Sequence, residues 1–114
     1  MNKCTNLRQQ FIDALFTQHG RCSCRQLTTV FGINKSTAAL DMKAYAQRNR
    51  QVAYSYTHGS YMRRSKFQPV PALLKQPADN FLQMVSVVFD VPDLSVERNL
   101  IPLPRGGIDS ERQQ

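Results

Sequence analysis

Between Leu7 and His19 apolar side chains fall at positions 7, 11, 12, 15 and 16, the spacing of one helical face. Gly20 supplies a stop, since glycine readily takes the left-handed backbone that closes a helix. Ser23 is suited to cap a second, shorter helix over Cys24–Phe31, in which Leu27, Val30 and Phe31 face inward. Gly32 breaks it, Ile33 anchors the turn, and Asn34 offers a side-chain oxygen to the free amides of a third helix, predicted from Asn34 to about Arg48. In this helix Ala38, Met42, Tyr45 and Ala46 share the face that packs on the core. Lys35, Ser36, Ala39, Leu40 and Lys43 point elsewhere. A short helix, a glycine turn and a further helix make a helix-turn-helix.

The period then drops to two. Val52, Tyr54 and Tyr56 alternate with Ala53 and Ser55, and His58-Gly59 reads as a two-residue hairpin turn. That turn pairs Tyr56 with Tyr61 and Tyr54 with Arg63, with tyrosines inward and arginines outward. Arg63 and Arg64 lie on the returning strand, with Lys66 just beyond. Three helices and a basic hairpin predict a winged helix-turn-helix, mainly α with a small β-hairpin. Pro69, Pro71 and Pro77 mark a linker, and Phe81–Val91 follows with eight apolar residues in eleven. A helix from near Asp79 is expected there, although the valines also permit a strand. A small winged domain has little room for so much apolar surface. Phe81, Leu82, Met84, Val85, Val88 and Phe89 are therefore assigned to a dimer interface, in preference to packing against the first helix. The chain divides into residues 1–70, the winged domain; 71–91, a linker and apolar dimerisation helix; and 92–114, an extended or mobile tail.

Charge sharpens this division. Residues 1–75 carry a net +10, with Asp13 and Asp41 their only acids, whereas residues 76–114 carry −3. A basic body points to a polyanionic partner. No stretch is long and apolar enough for a transmembrane helix, and the start MNKCTNLRQQF lacks the apolar centre of a signal peptide, so a cytoplasmic protein is expected. Cys4, Cys22 and Cys24 are poor material for a disulfide framework. With His19 they lack the second spaced pair of a zinc site, so no metal is expected. No catalytic motif joins His19 or His58 to a nucleophile, so neither an enzyme nor a cofactor is expected.

A helix entering the major groove uses its first turns to reach base edges, where bulky side chains would block approach. The small polar start of the third helix suits that task. Asn34, Lys35, Ser36, Thr37, Ala39, Leu40 and Lys43 are the candidate recognition residues, with Leu40 able to touch a thymine methyl. Arg63, Arg64 and Lys66 are assigned to phosphate or the minor groove from the wing. Arg21 and Arg25, near the start of the second helix, are assigned to backbone phosphates, with Arg48 and Arg50 behind them. Asp41 is expected to pair with a base such as Arg25. Two other readings compete: a winged-helix protein-interaction module, insensitive to salt, and an RNA-binding protein, indifferent to the recognition residues because an A-form major groove is too narrow for a helix.

The stretch FGINKSTAALDMKAY resembles the recognition segment of winged-helix bacterial repressors, a looser version of which occurs in DeoR-type regulators. Phe31, Gly32, Ile33, Asn34, Asp41, Met42 and Tyr45 carry the likeness. Tyr54 and Tyr61, followed by Phe67-Gln68-Pro69-Val70, are similar to the wing of the WYL-domain repressors of bacterial anti-phage defence islands. Ile101-Pro102-Leu103-Pro104-Arg105 and Ile108-Asp109 are similar to the lead-in of that family's WYL domain. Asn34 replaces the usual serine and Met42 a leucine, while Gly59-Ser60 stand where a wing lysine is common. The resemblance implies a repressor that binds an inverted repeat of double-stranded DNA as a homodimer. The resemblance stops short of the WYL domain itself, so no small-molecule ligand is expected.

Overall fold

The computed structural model describes residues 3–100. Helix α1 spans Lys3–His19 and is followed by a two-residue strand, β1 (Arg21–Cys22). Then come α2 (Cys24–Phe31), α3 (Lys35–Arg48), the strands β2 (Val52–Ser55) and β3 (Ser60–Arg63), α4 (Ala78–Val88) and a 3₁₀ turn at Glu97–Asn99. The strands form one antiparallel sheet in the order β1-β3-β2. This is a winged helix whose hairpin is extended by β1.

The local signals work as expected at α2 and α3. Gly32 closes α2 at φ +68°, its amide donating to the Thr28 carbonyl. Asn34 Oδ1 accepts from the Thr37 amide at 2.8 Å and opens α3. Ala38, Met42 and Tyr45 are buried, and Ala46 packs beside them. Phe11, Leu15 and Phe16 of α1 and Leu27 of α2 complete that centre, with Phe16 stacked on Tyr45 at 5.4 Å between ring centres.

The hairpin departs from its predicted register. Tyr54 pairs with Tyr61 and Ser55 with Ser60, while Val52 lies opposite Arg63. The turn therefore holds four residues, Tyr56–Gly59, instead of two. Its stabilising bond runs from the Gly59 amide to the Ser55 carbonyl at 2.8 Å, and Gly59 takes φ +65°. Tyr56 consequently leaves the ladder and is 92% exposed. Tyr54 is also exposed, so the tyrosines are not uniformly inward.

The apolar segment is helical, and its inner face belongs to this chain's own core. Phe81, Leu82 and Val85 are buried as α4 packs on α1, and Phe89 meets Phe31 edge to face at 4.9 Å. Their assignment to a dimer interface is corrected accordingly: side chains already covered by α1 and α2 offer no surface to a second copy. Met84, Val87 and Val88 remain on the outside.

Residues 92–100 are not an extended tail. Leu94 and Leu100 are buried, and polar contacts to three helices fasten this segment. The Leu94 amide donates to Ser86 Oγ at 2.8 Å, His19 Nε2 lies 2.8 Å from the Leu94 carbonyl, and Gln26 Nε2 donates to the Leu100 carbonyl. The resemblance at residues 101–109, and the tail expectation from 101 to 114, lie outside the described residues.

Candidate nucleic-acid interface

Side chains on α3 divide cleanly by face. The buried stripe of Ala38, Met42 and Tyr45 leaves Asn34, Lys35, Ser36, Ala39, Leu40 and Lys43 exposed, with Thr37 half-buried beside its cap. Leu40 is 67% exposed, a large apolar side chain among small and polar ones. Burial of one stripe fixes the orientation of the other, so the small first turn projects outward.

Cations surround this helix at different degrees of freedom. Arg25, Arg48, Arg50, Arg64 and Lys66 are exposed. Among the described residues no ion pair engages Arg25, Lys35, Lys43, Arg64 or Lys66. Arg21 is partly buried, and its Nη2 lies 3.7 Å from the Glu97 carboxylate. Arg63 has structural work of its own. Its Nη1 donates to the carbonyls of Phe16 and Thr17 at 3.0 and 3.1 Å, closing the open end of α1. Helix termini leave carbonyls without intrahelical partners, and a guanidinium there satisfies both hydrogen bonding and the helix dipole.

Asp41 pairs with Arg8, not with Arg25. Arg8 Nε and Nη2 fork onto the two carboxylate oxygens, a geometry that favours arginine. The pair thus fastens α1 to α3, and Arg25, at the start of α2, forms no ion pair among the described residues. Beneath it lies a second polar contact: Asp13 Oδ1 accepts from the Tyr45 hydroxyl and from the Val70 amide. Burial pushes the Asp13 carboxyl above its ordinary value, and the bonds from Tyr45 and Val70 with the charge of Arg48 only partly oppose this. Burial, and then the bond to Asp13, also raise Tyr45, so the phenol keeps its proton and donates. Burial raises both Cys22 and Cys24, which keeps these thiols protonated and poor nucleophiles.

A cleft of about 400 Å³ lies between the hairpin and the start of α2, lined by Arg21, Ser23, Arg25, Tyr54, His58 and Tyr61 among others. Sequence reasoning assigns its two arginines to phosphate but misses its aromatic wall, because the predicted register turns Tyr54 inward. It misses Arg8 as well. The available signal is the pair Gln9 and Asp13, polar residues embedded in the apolar stripe of the first helix.

Among the described residues no group of His, Cys, Asp and Glu forms a metal-holding cluster, and no helix is long and apolar enough to cross a membrane. A comparison with curated proteins gave no match. Residues 5–87, from early α1 almost to the end of α4, match the family described as the BrxR transcriptional regulator winged helix-turn-helix domain. With the winged topology, the exposed small-residue turn of α3 and the free cations around it, this match identifies the chain as a member of that family, a DNA-binding domain of transcriptional regulators.

Proposed function

We propose that the chain represses transcription by binding an inverted-repeat operator as a homodimer. Helix α3 enters the major groove with Lys35 and Ser36 nearest the bases, Thr37, Ala39 and Lys43 alongside, and Leu40 against a thymine methyl. Arg64 and Lys66 hold phosphates from the root of the wing, and Arg25, with Arg21, holds them from the start of α2. Arg63 contributes its position at the wing base while remaining committed to α1. Met84, Val87 and Val88 supply the apolar contact between copies.

The observation that carries this reading is the division of α3. Its exposed first turns combine Lys35, the Ser36 hydroxyl and the small Ala39, while Met42 and Tyr45 anchor its second half in the core. The test is a titration against DNA flanking the chain's own gene and against scrambled duplex at two salt concentrations. Sequence-preferring binding is expected, with a log–log salt slope of about −4 to −5 per protomer, from roughly five neutralised phosphates. Weak binding that ignores sequence overturns the reading. One observation, the exposed Leu40, favours a protein-docking helix instead; that reading requires partner binding with little salt dependence.

A further inference from the structure

Helix α1 touches α3 through a row of polar side chains as well as through the apolar core. Asp41 and Tyr45 on α3 and Asn49 at its C-cap recur every fourth residue and form one buried stripe. Arg8 forks onto the Asp41 carboxylate, while Gln9 Nε2 donates to the Asp41 main-chain carbonyl at 2.9 Å. One turn on, Asp13 receives the Tyr45 hydroxyl. Asn49 Nδ2 then donates to the Tyr45 oxygen at 3.2 Å and to the Gln68 carbonyl at 2.9 Å. The Val70 amide returns to Asp13 at 3.0 Å, so the chain leaving the wing is held by the same carboxylate.

We infer that this ladder is a positioning device for recognition: Arg8, Gln9 and Asp13 set the roll and register of α3, and fix the wing's root to it, without touching DNA. The inference rests on the operator-binding reading above and adds to it the residues that aim the helix.

Apolar packing is non-directional, so by itself it tolerates small rotations of one helix on another. Hydrogen bonds are directional, and in a low-dielectric interior a misaligned donor or acceptor is costly. A roll of about 20° on a helix of about 5–6 Å outer radius moves a side-chain tip by roughly 2 Å. That is enough to break every rung of the ladder and equally enough to lift Lys35 or Ser36 off a base edge. The ladder is also a poor device for stability alone. Asp13 Oδ2 and Gln9 Oε1 are buried and find no hydrogen-bond partner among the described residues, a cost that a wholly apolar seam would not carry. Asp13 sits where both DNA-facing elements, α3 and the wing, are joined to α1.

The test uses Tyr45→Phe, which removes one hydroxyl at nearly constant volume, and Arg8→Gln, which breaks the partly exposed end. Each variant is checked for folding by thermal melting and titrated well below its midpoint against operator and scrambled duplex. The expected result is a loss of operator discrimination of about tenfold, comparable to one mismatched base pair, with scrambled-duplex affinity and salt slope unchanged. A folded pair of variants with wild-type discrimination overturns the proposal, as does an equal loss on both duplexes, which a purely structural role would give. A wild-type chain that does not distinguish the duplexes overturns the operator reading, and the ladder's role in recognition with it.

Discussion

Helices α3 and α4 both lie against α1, and they are held there by different means. Toward α3 the seam mixes apolar packing with polar rungs, from the part-buried Arg8–Asp41 to the buried Asp13–Tyr45. α4 brings an apolar face of Phe81, Leu82 and Val85. Their outer faces differ in the opposite sense. α3 shows Lys35, Ser36 and Lys43 to its surroundings, while α4 shows Met84, Val87 and Val88, the second of these 81% exposed. Apolar composition thus marks α4 as a core helix on one side only, and the polar start of α3 is not a sign of weak attachment. What a helix buries tells how it is held; what it leaves outside tells what it meets.

The largest effect that would break this comparison is Phe81→Ala, expected to destabilise the chain by about 3–5 kcal/mol in urea unfolding. A loss under about 1 kcal/mol, the range of conservative changes, would show α4 to be an appendage. Next, Lys35→Ala with Ser36→Ala should leave the melting temperature nearly unchanged. Operator preference should fall by about 1–3 kcal/mol for each base-edge hydrogen bond removed, read by competition against scrambled duplex. On α4, Val87→Asp should shift the protein toward monomer in sedimentation without unfolding it, because the residue faces outward. Arg64→Ala should flatten the salt slope by about 0.9, one phosphate's share.

The smallest expected effect concerns the polar seam. Asp13 is raised by burial, so the folded chain binds that proton more tightly than the unfolded one. Its contribution to stability is complete below the ordinary aspartate value and is lost as pH rises through the raised one. Asp13→Asn should remove that segment of the pH–stability curve, whereas changes in the α4 face should leave it in place. Calorimetry across the acid range provides the measurement.

Much of the fold is legible along the chain because its signals are local. Asn34, Gly32 and the spacing of Ala38, Met42 and Tyr45 act within one or two turns, so sequence alone places α2 and α3. β1 is different: two residues carry no period, and they become a strand only because Met62 and Tyr61 lie beside them. The hairpin register fails because His58-Gly59 matches a two-residue turn, while the bond from Gly59 to Ser55 selects a four-residue one. The partners of Asp41, of the Leu94 carbonyl and of the Leu100 carbonyl sit on helices distant along the chain, where spacing has no bearing. The candidate recognition face is visible as a set of residue types, but the cations around it cannot be ranked that way. Nothing in the pattern separates a free Arg64 from an Arg63 already engaged with two carbonyls.

That engagement also bears on the order in which the molecule assembles. The Thr17 carbonyl near the end of α1 takes its partner from the Arg63 side chain of β3, which also reaches the Phe16 carbonyl already bonded to the Gly20 amide. The Arg63 amide donates to the Gly20 carbonyl at 2.9 Å. Gly20 has no room to spare, since a Cβ there would stand 3.0 Å from Arg63 Nε. The Thr17 carbonyl of an early helix is therefore satisfied only when a much later hairpin closes on it, after the entropy of that long loop has been surrendered. The two regions should open and close as one cooperative unit, with the amides of Gly20 and Arg63 sharing a single hydrogen-exchange protection although they lie far apart in the chain.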